Sequence, residues 1–119
     1  MDHLGKHILL DLYDCPADLL KNVQQVGQIM IAAAEIMQAT IVQQTFHQFS
    51  PYGVSGVVVI QESHLTIHTW PEHQYAAIDI FTCGDIRIEL GVEYLTQHFR
   101  AGRTQLREVR RGEVPKCVD

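Results

Sequence analysis

The sequence predicts an α+β fold: a two-layer α/β sandwich with a mainly antiparallel sheet and two helices on one face. Three observations carry that prediction. Val57-Val58-Val59-Ile60 is an unbroken apolar run, and the two stretches after it alternate with period two. Leu19 to Met37 repeats its apolar residues at steps of three and four. A shorter stretch around Leu90 to Phe99 does the same.

Taken in order, His7 to Tyr13 is rich in strand formers, with Gly5 at its entry and Pro16 closing it. Pro16 also suits the first turn of a helix, where its missing N–H costs nothing. Leu19, Val23, Val26, Met30, Ala33 and Met37 then form one broad stripe on a helix of about 20 residues. Gly27 costs roughly 1 kcal/mol relative to Ala inside a helix, which a close approach to the sheet would explain. Thr40 to Phe49 is β-branched and aromatic, a second strand, and Ser50-Pro51-Tyr52-Gly53 is a turn. Val57 to Ile60 reads as a strand covered on both faces. Leu65, Ile67 and Thr69 alternate with His64, Thr66, His68 and Trp70. From Ala77 to Cys83, Ile78 and Ile80 share one face, and Asp79, Phe81 and Cys83 the other. Gly84-Asp85 breaks the sheet, and a second helix ends near Ala101-Gly102. Thr104 to Val109 is a last strand at an edge, and residues 110–119 read as a loose tail.

No repeat or linker interrupts the chain, so residues 1–119 are expected to form a single domain. Val54, Val58 and Ile60 cannot share the helix side with Val57 and Val59. The second sheet face therefore needs a cover, and a homodimer packing sheet against sheet supplies one. A net charge of −5 with no basic run beyond Arg110-Arg111 argues against nucleic acid. No apolar segment approaches the roughly 20 residues that span a bilayer, so no membrane partner is expected. Cys15, Cys83 and Cys117 are an odd number at scattered spacing, which suits a reducing cytoplasm.

Chemistry-bearing residues concentrate between Val54 and Asp85. His64, His68, His73 and Cys83 are all metal-ligand types. On a strand, however, His64 and His68 lie about 13 Å apart at roughly 3.3 Å per residue, and no metal is expected. Nothing resembles the glycine-flanked nucleophile of a Ser-His-acid hydrolase. Singly, a Ser in a bend, a His on a half-buried strand and a Cys in a sheet all have ordinary structural explanations.

Together they form a specific string. Leu4-Gly5-Lys6-His7, Phe46 through Gly56, Glu62-Ser63-His64-Leu65-Thr66-Ile67-His68-Thr69-Trp70-Pro71-Glu72 and Phe81-Thr82-Cys83-Gly84-Asp85 resemble the prokaryotic S-adenosylmethionine decarboxylase proenzyme family. The resemblance implies a self-processing decarboxylase whose cofactor is a pyruvoyl group made from Ser63. Cleavage between Glu62 and Ser63 would leave a β chain, residues 1–62, and an α chain, residues 63–119. It implies Ser55 as the donor to the processing oxyanion and His68 as the base for the elimination. Cys83 would be the proton donor after CO₂ loss, and the substrate amine would form a Schiff base with the pyruvoyl carbonyl. Phe49, Trp70 and Glu72 would contact the substrate: an aromatic face suits adenine and a sulfonium, and a carboxylate suits ribose hydroxyls. The implied product is the aminopropyl donor of spermidine biosynthesis.

Two positions depart from the family's usual pattern. Gln74 stands where Gly is usual, and Ile86-Arg87-Ile88 where many members have Asp-Pro or a similar helix start. Some relatives decarboxylate arginine or ornithine through the same chemistry, which is the alternative substrate reading. From a different class, a binding or regulatory paralogue that does not process would leave the chain whole.

Overall fold

The computed structural model describes residues 2–114. Its order is β1 (Asp2–Tyr13), α1 (Ala17–Leu20), α2 (Val23–Ile36), β2 (Ile41–Gln48), β3 (Val54–Ile60), β4 (Ser63–Trp70), a 3₁₀ turn (Pro71–His73), β5 (Tyr75–Thr82), α3 (Ile88–His98) and β6 (Arg103–Val114). One six-stranded sheet runs in the order β2-β3-β4-β5-β1-β6, and every neighbouring pair is antiparallel. The α+β fold with its antiparallel sheet is as the sequence predicts.

Alternation divides the sheet into two faces. Ile8, Leu10, Leu12, Val58, Ile60, Leu65, Ile67, Ile78 and Ile80 are buried under the helices. From above, α2 contributes Val26, Met30, Ala33 and Ala34, and α3 contributes Leu95, with Met37 and Phe99 following the two helices. Phe46 is the joint between the layers. A Cβ on Gly56, its cross-strand partner, would fall 2.0 Å from the ring, and one on Gly27 of α2 would fall 3.3 Å from it. Both glycines thus let an aromatic ring fill the gap between helix and sheet, which accounts for Gly27 inside a helix. The opposite, open face carries Val57, half-buried, and Val59, 37% exposed. It also carries His7, Asp11, His64, His68, Trp70, Tyr75, Asp79 and Phe81 by strand phase.

Three local expectations change. The single long helix is two helices, broken at Lys21-Asn22. Asn22 has extended backbone and accepts the Gln25 N–H at 3.1 Å, restarting the helix as its N-cap. The first strand begins at Asp2, ahead of Gly5. Residues 110–114, read as tail, belong to β6, where Asp2 pairs with Val114 and Lys6 with Arg110. The rest of that expected tail, with Cys117, lies outside the described residues. No helix among the described residues is long and apolar enough to cross a membrane.

Candidate active site

The turn between β3 and β4 has two residues, Gln61 and Glu62, because Ile60 pairs directly with Ser63. Glu62 closes it with φ of 67°, a left-handed conformation that favours Gly or Asn. For a Glu this stores of order 1–3 kcal/mol of strain. The Ser63 hydroxyl donates to the Glu62 carbonyl beside it. Cys83, one residue beyond β5, meets both groups. Its N–H donates to Ser63 Oγ at 3.1 Å, and its thiol donates to the Glu62 carbonyl oxygen at 2.8 Å. The bend that places Cys83 there is tied by the Gly84 N–H to Thr82 Oγ1 at 3.1 Å. A nucleophilic oxygen, a carbonyl polarised by two donors and a strained peptide therefore meet at one sheet end.

At the other sheet end Ser55 of β3 faces His68 of β4 in register, with Ser55 Oγ and His68 Nδ1 2.7 Å apart. They open into a cleft of about 250 Å³ whose other walls include Phe49, Tyr52, Trp70 and Glu72. Buried Thr69 fixes this corner: its Oγ1 accepts the Val54 N–H and donates to the Leu20 carbonyl, each at 2.8 Å. Phe49 and Trp70 remain 48% and 40% exposed, open to a flat ligand.

All eight predicted site residues thus fall into two separated groups within one chain, Glu62, Ser63 and Cys83 against Phe49, Ser55, His68, Trp70 and Glu72. His68 lies five residues along β4 from Ser63, roughly 16 Å in an extended strand. Tyr52 lines the cleft too, although in sequence it is visible only as part of a Pro-Gly turn. Between the groups, Asp79 is bonded on both carboxylate oxygens, by His7 Nε2 and by Thr66 Oγ1, each at 3.1 Å. Among the described residues no three His, Cys, Asp or Glu side chains cluster as a metal site would require.

The departure at Gln74 has a structural meaning. Gln74 ends the Pro71–His73 turn at φ of 52°, where Gly is the unstrained residue, and its carbonyl accepts the Cys15 N–H at 3.0 Å. Arg87 is also structural at its backbone: its N–H donates to the Met37 carbonyl at 2.9 Å, tying the start of α3 to the end of α2.

Known proteins resemble this chain along nearly all its length. The profile of the family described as S-adenosylmethionine decarboxylase matches residues 6–112. The chain belongs to the S-adenosylmethionine decarboxylase family. Members of that family are pyruvoyl-dependent carboxy-lyases. The S-adenosylmethionine decarboxylase proenzyme of Acidithiobacillus ferrooxidans is 51% identical over 115 residues, 96% of this chain and 86% of that protein. The proenzyme of Thermotoga maritima is 53% identical over 113 residues, 94% of this chain and 87% of that one. The crystal structure of the adenosylmethionine decarboxylase from Aquifex aeolicus superposes with a TM-score of 0.91 at 32% identity, covering 100% of this chain and 99% of that chain.

Proposed function

We propose that this family member cleaves itself between Glu62 and Ser63 and, so activated, decarboxylates S-adenosylmethionine in the cytoplasm, supplying the aminopropyl donor for spermidine biosynthesis. The observation that carries the reading is the contact of the Ser63 hydroxyl with the Glu62 carbonyl, under the Cys83 thiol.

Ser63 Oγ adds to the Glu62 carbonyl carbon, and the C–N bond breaks as the nitrogen takes up the hydroxyl proton. The amide has become an ester, and the strain at Glu62 is released in the process. Ser55 donates to the oxyanion formed on the way. His68 then removes the α-proton of residue 63 while the Glu62 carboxylate departs, a task for a base with pKa near neutrality. Water hydrolyses the resulting enamine, ammonia leaves, and residues 63–119 begin with a pyruvoyl group; residues 1–62 are the β chain. That group supplies an electron sink for the carbanion left when CO₂ departs. Phe49 and Trp70 hold the adenine and sulfonium, and Glu72 accepts from the ribose. Cys83 returns a proton to the substrate carbon. No metal takes part in this scheme.

Ser63 and His68 stand too far apart in one chain for that proton transfer, so the scheme requires two copies. Packing open face on open face about a two-fold axis sets the turn end of one copy beside the cleft end of the other. It also covers Val57 and Val59, which the helices leave bare. The active species is accordingly a homodimer of processed protomers, with two shared sites.

Intact mass measurement under denaturing conditions tests the cleavage. The expected products are residues 1–62 and a 63–119 chain lighter than its Ser-initiated form. A folded protein that stays whole contradicts the reading and favours a binding paralogue. Carbon dioxide release from S-adenosylmethionine, arginine and ornithine, assayed in parallel, tests the substrate: release from either amino acid in place of S-adenosylmethionine overturns that assignment.

A further inference from the structure

A row of stacked side chains crosses the open face and ends at the cleft. Arg103 of β6 pairs with Tyr13 of β1, and its guanidinium carbon lies 3.9 Å above the Tyr13 ring centre. Tyr13 stacks on Tyr75 of β5 at 5.2 Å and 28°. Tyr75 faces its register partner Trp70 of β4 at 5.3 Å and 31°, and Trp70 in turn lies 6.0 Å from His68. Trp70 thus has Tyr75 beside it across the strand pair and His68 beside it along its own strand. Tyr75 is itself pinned: its hydroxyl donates to Asp11 Oδ1 at 2.6 Å, and Arg107 lies 3.8 Å from the other Asp11 oxygen.

We infer that Tyr75, backed by Tyr13, is a positioning residue that fixes the plane of Trp70 and with it the width of the substrate cleft. Trp70 is 40% exposed, and Tyr75 is the nearer of its two ring neighbours, at 5.3 Å against 6.0 Å for His68. Without the Tyr75 ring the indole gains freedom to swing away from His68, and the cleft loses a fixed wall. The cost falls on substrate binding, since Tyr75 meets Asp11, Tyr13 and Trp70, and of these only Trp70 belongs to the site, as a wall of the cleft. Only the choice of substrate in the kinetic arm rests on the function proposed above.

Trp70 is the only tryptophan, so its emission reports its surroundings whether or not the protein is active. In the purified full-length protein, Tyr75→Leu is expected to shift that emission to longer wavelength and increase its quenching by acrylamide. It is expected to raise KM for S-adenosylmethionine about tenfold, as misplacement of a binding group does, with kcat held within about twofold. Tyr75→Phe keeps the ring and is expected to restore both. A folded Tyr75→Leu protein with parental emission and KM overturns the inference, as does a Tyr75→Phe protein as impaired as Tyr75→Leu. Should Tyr75→Leu fail to fold, Tyr13→Leu removes the support one strand further out; unchanged emission in that protein overturns the inference equally. An emission shift in a protein whose parent releases no CO₂ supports the positioning role and overturns the functional reading alone.

Discussion

The two ends of the sheet carry reactive side chains by opposite means. At the turn end, Glu62 is forced to positive φ, and Cys83 stands just past the last residue of its strand. Contacts there depend on irregular backbone. At the cleft end, Ser55 and His68 meet because strand register puts them opposite each other, and buried Thr69 ties β4 to both β3 and α1. Strained backbone suits a bond that breaks once and is never remade. Regular, anchored strands suit a pocket that binds the same molecule repeatedly.

The comparison is broken most decisively at Ser63. Ser63→Ala removes the hydroxyl that touches the Glu62 carbonyl, and cleavage is expected to be lost, leaving one full-length mass. His68→Ala keeps the nucleophile and loses the base, so cleavage is expected to slow by about 10²–10⁴-fold, read as a time course of the two products. Phe49→Leu sharpens the contrast from the other side: cleavage is expected to remain complete while KM for S-adenosylmethionine rises about tenfold.

Two smaller effects concern the support of the cleft end. Gln74→Gly relieves about 1–2 kcal/mol of left-handed strain against roughly 0.5–1 kcal/mol of added chain entropy. Urea unfolding is expected to show a modest gain in stability, and a loss would contradict the reading of Gln74. Burial, helped by the nearby Asp14 charge, pushes the Cys15 thiol up to about 11 from an ordinary 9.0. The folded state keeps this proton longer than the unfolded chain does. The thiol's contribution is therefore whole below pH 9 and is lost as pH rises through about 11. Cys15→Ala is expected to flatten stability between those values, measured as urea midpoints at pH 8 and 10. The Tyr75 hydroxyl is raised as well, by burial first and then by its bond to Asp11, and stays protonated across that range.

Most of the sheet was legible because its central strands have one buried face, and period two survives in β4 and β5. The edge was not. Every residue of β6 from Arg103 to Glu113 is exposed, so no alternation marks it, and its charged end resembles a tail. Its strand character comes from pairing with β1, about a hundred residues earlier, which no local window contains. The break at Asn22 had a signal, a good N-cap residue, but the apolar step from Leu19 to Val23 runs straight across it. The identity of the site residues came from a string of letters, not from strand phase. Phase puts Ser63 and His68 on opposite faces and at opposite ends, and Tyr52 in the cleft wall and Tyr75 behind Trp70 emerged only when the fold was in view.

Co-expression of a Ser63→Ala chain with a His68→Ala chain tests the shared site most directly. Neither variant alone cleaves at the parental rate. If each site takes Ser63 from one copy and His68 from the other, every mixed dimer has one intact site, and its His68→Ala chain is expected to be cleaved at close to the parental rate. Mixed dimers that cleave no faster than the His68→Ala protein alone would contradict the account.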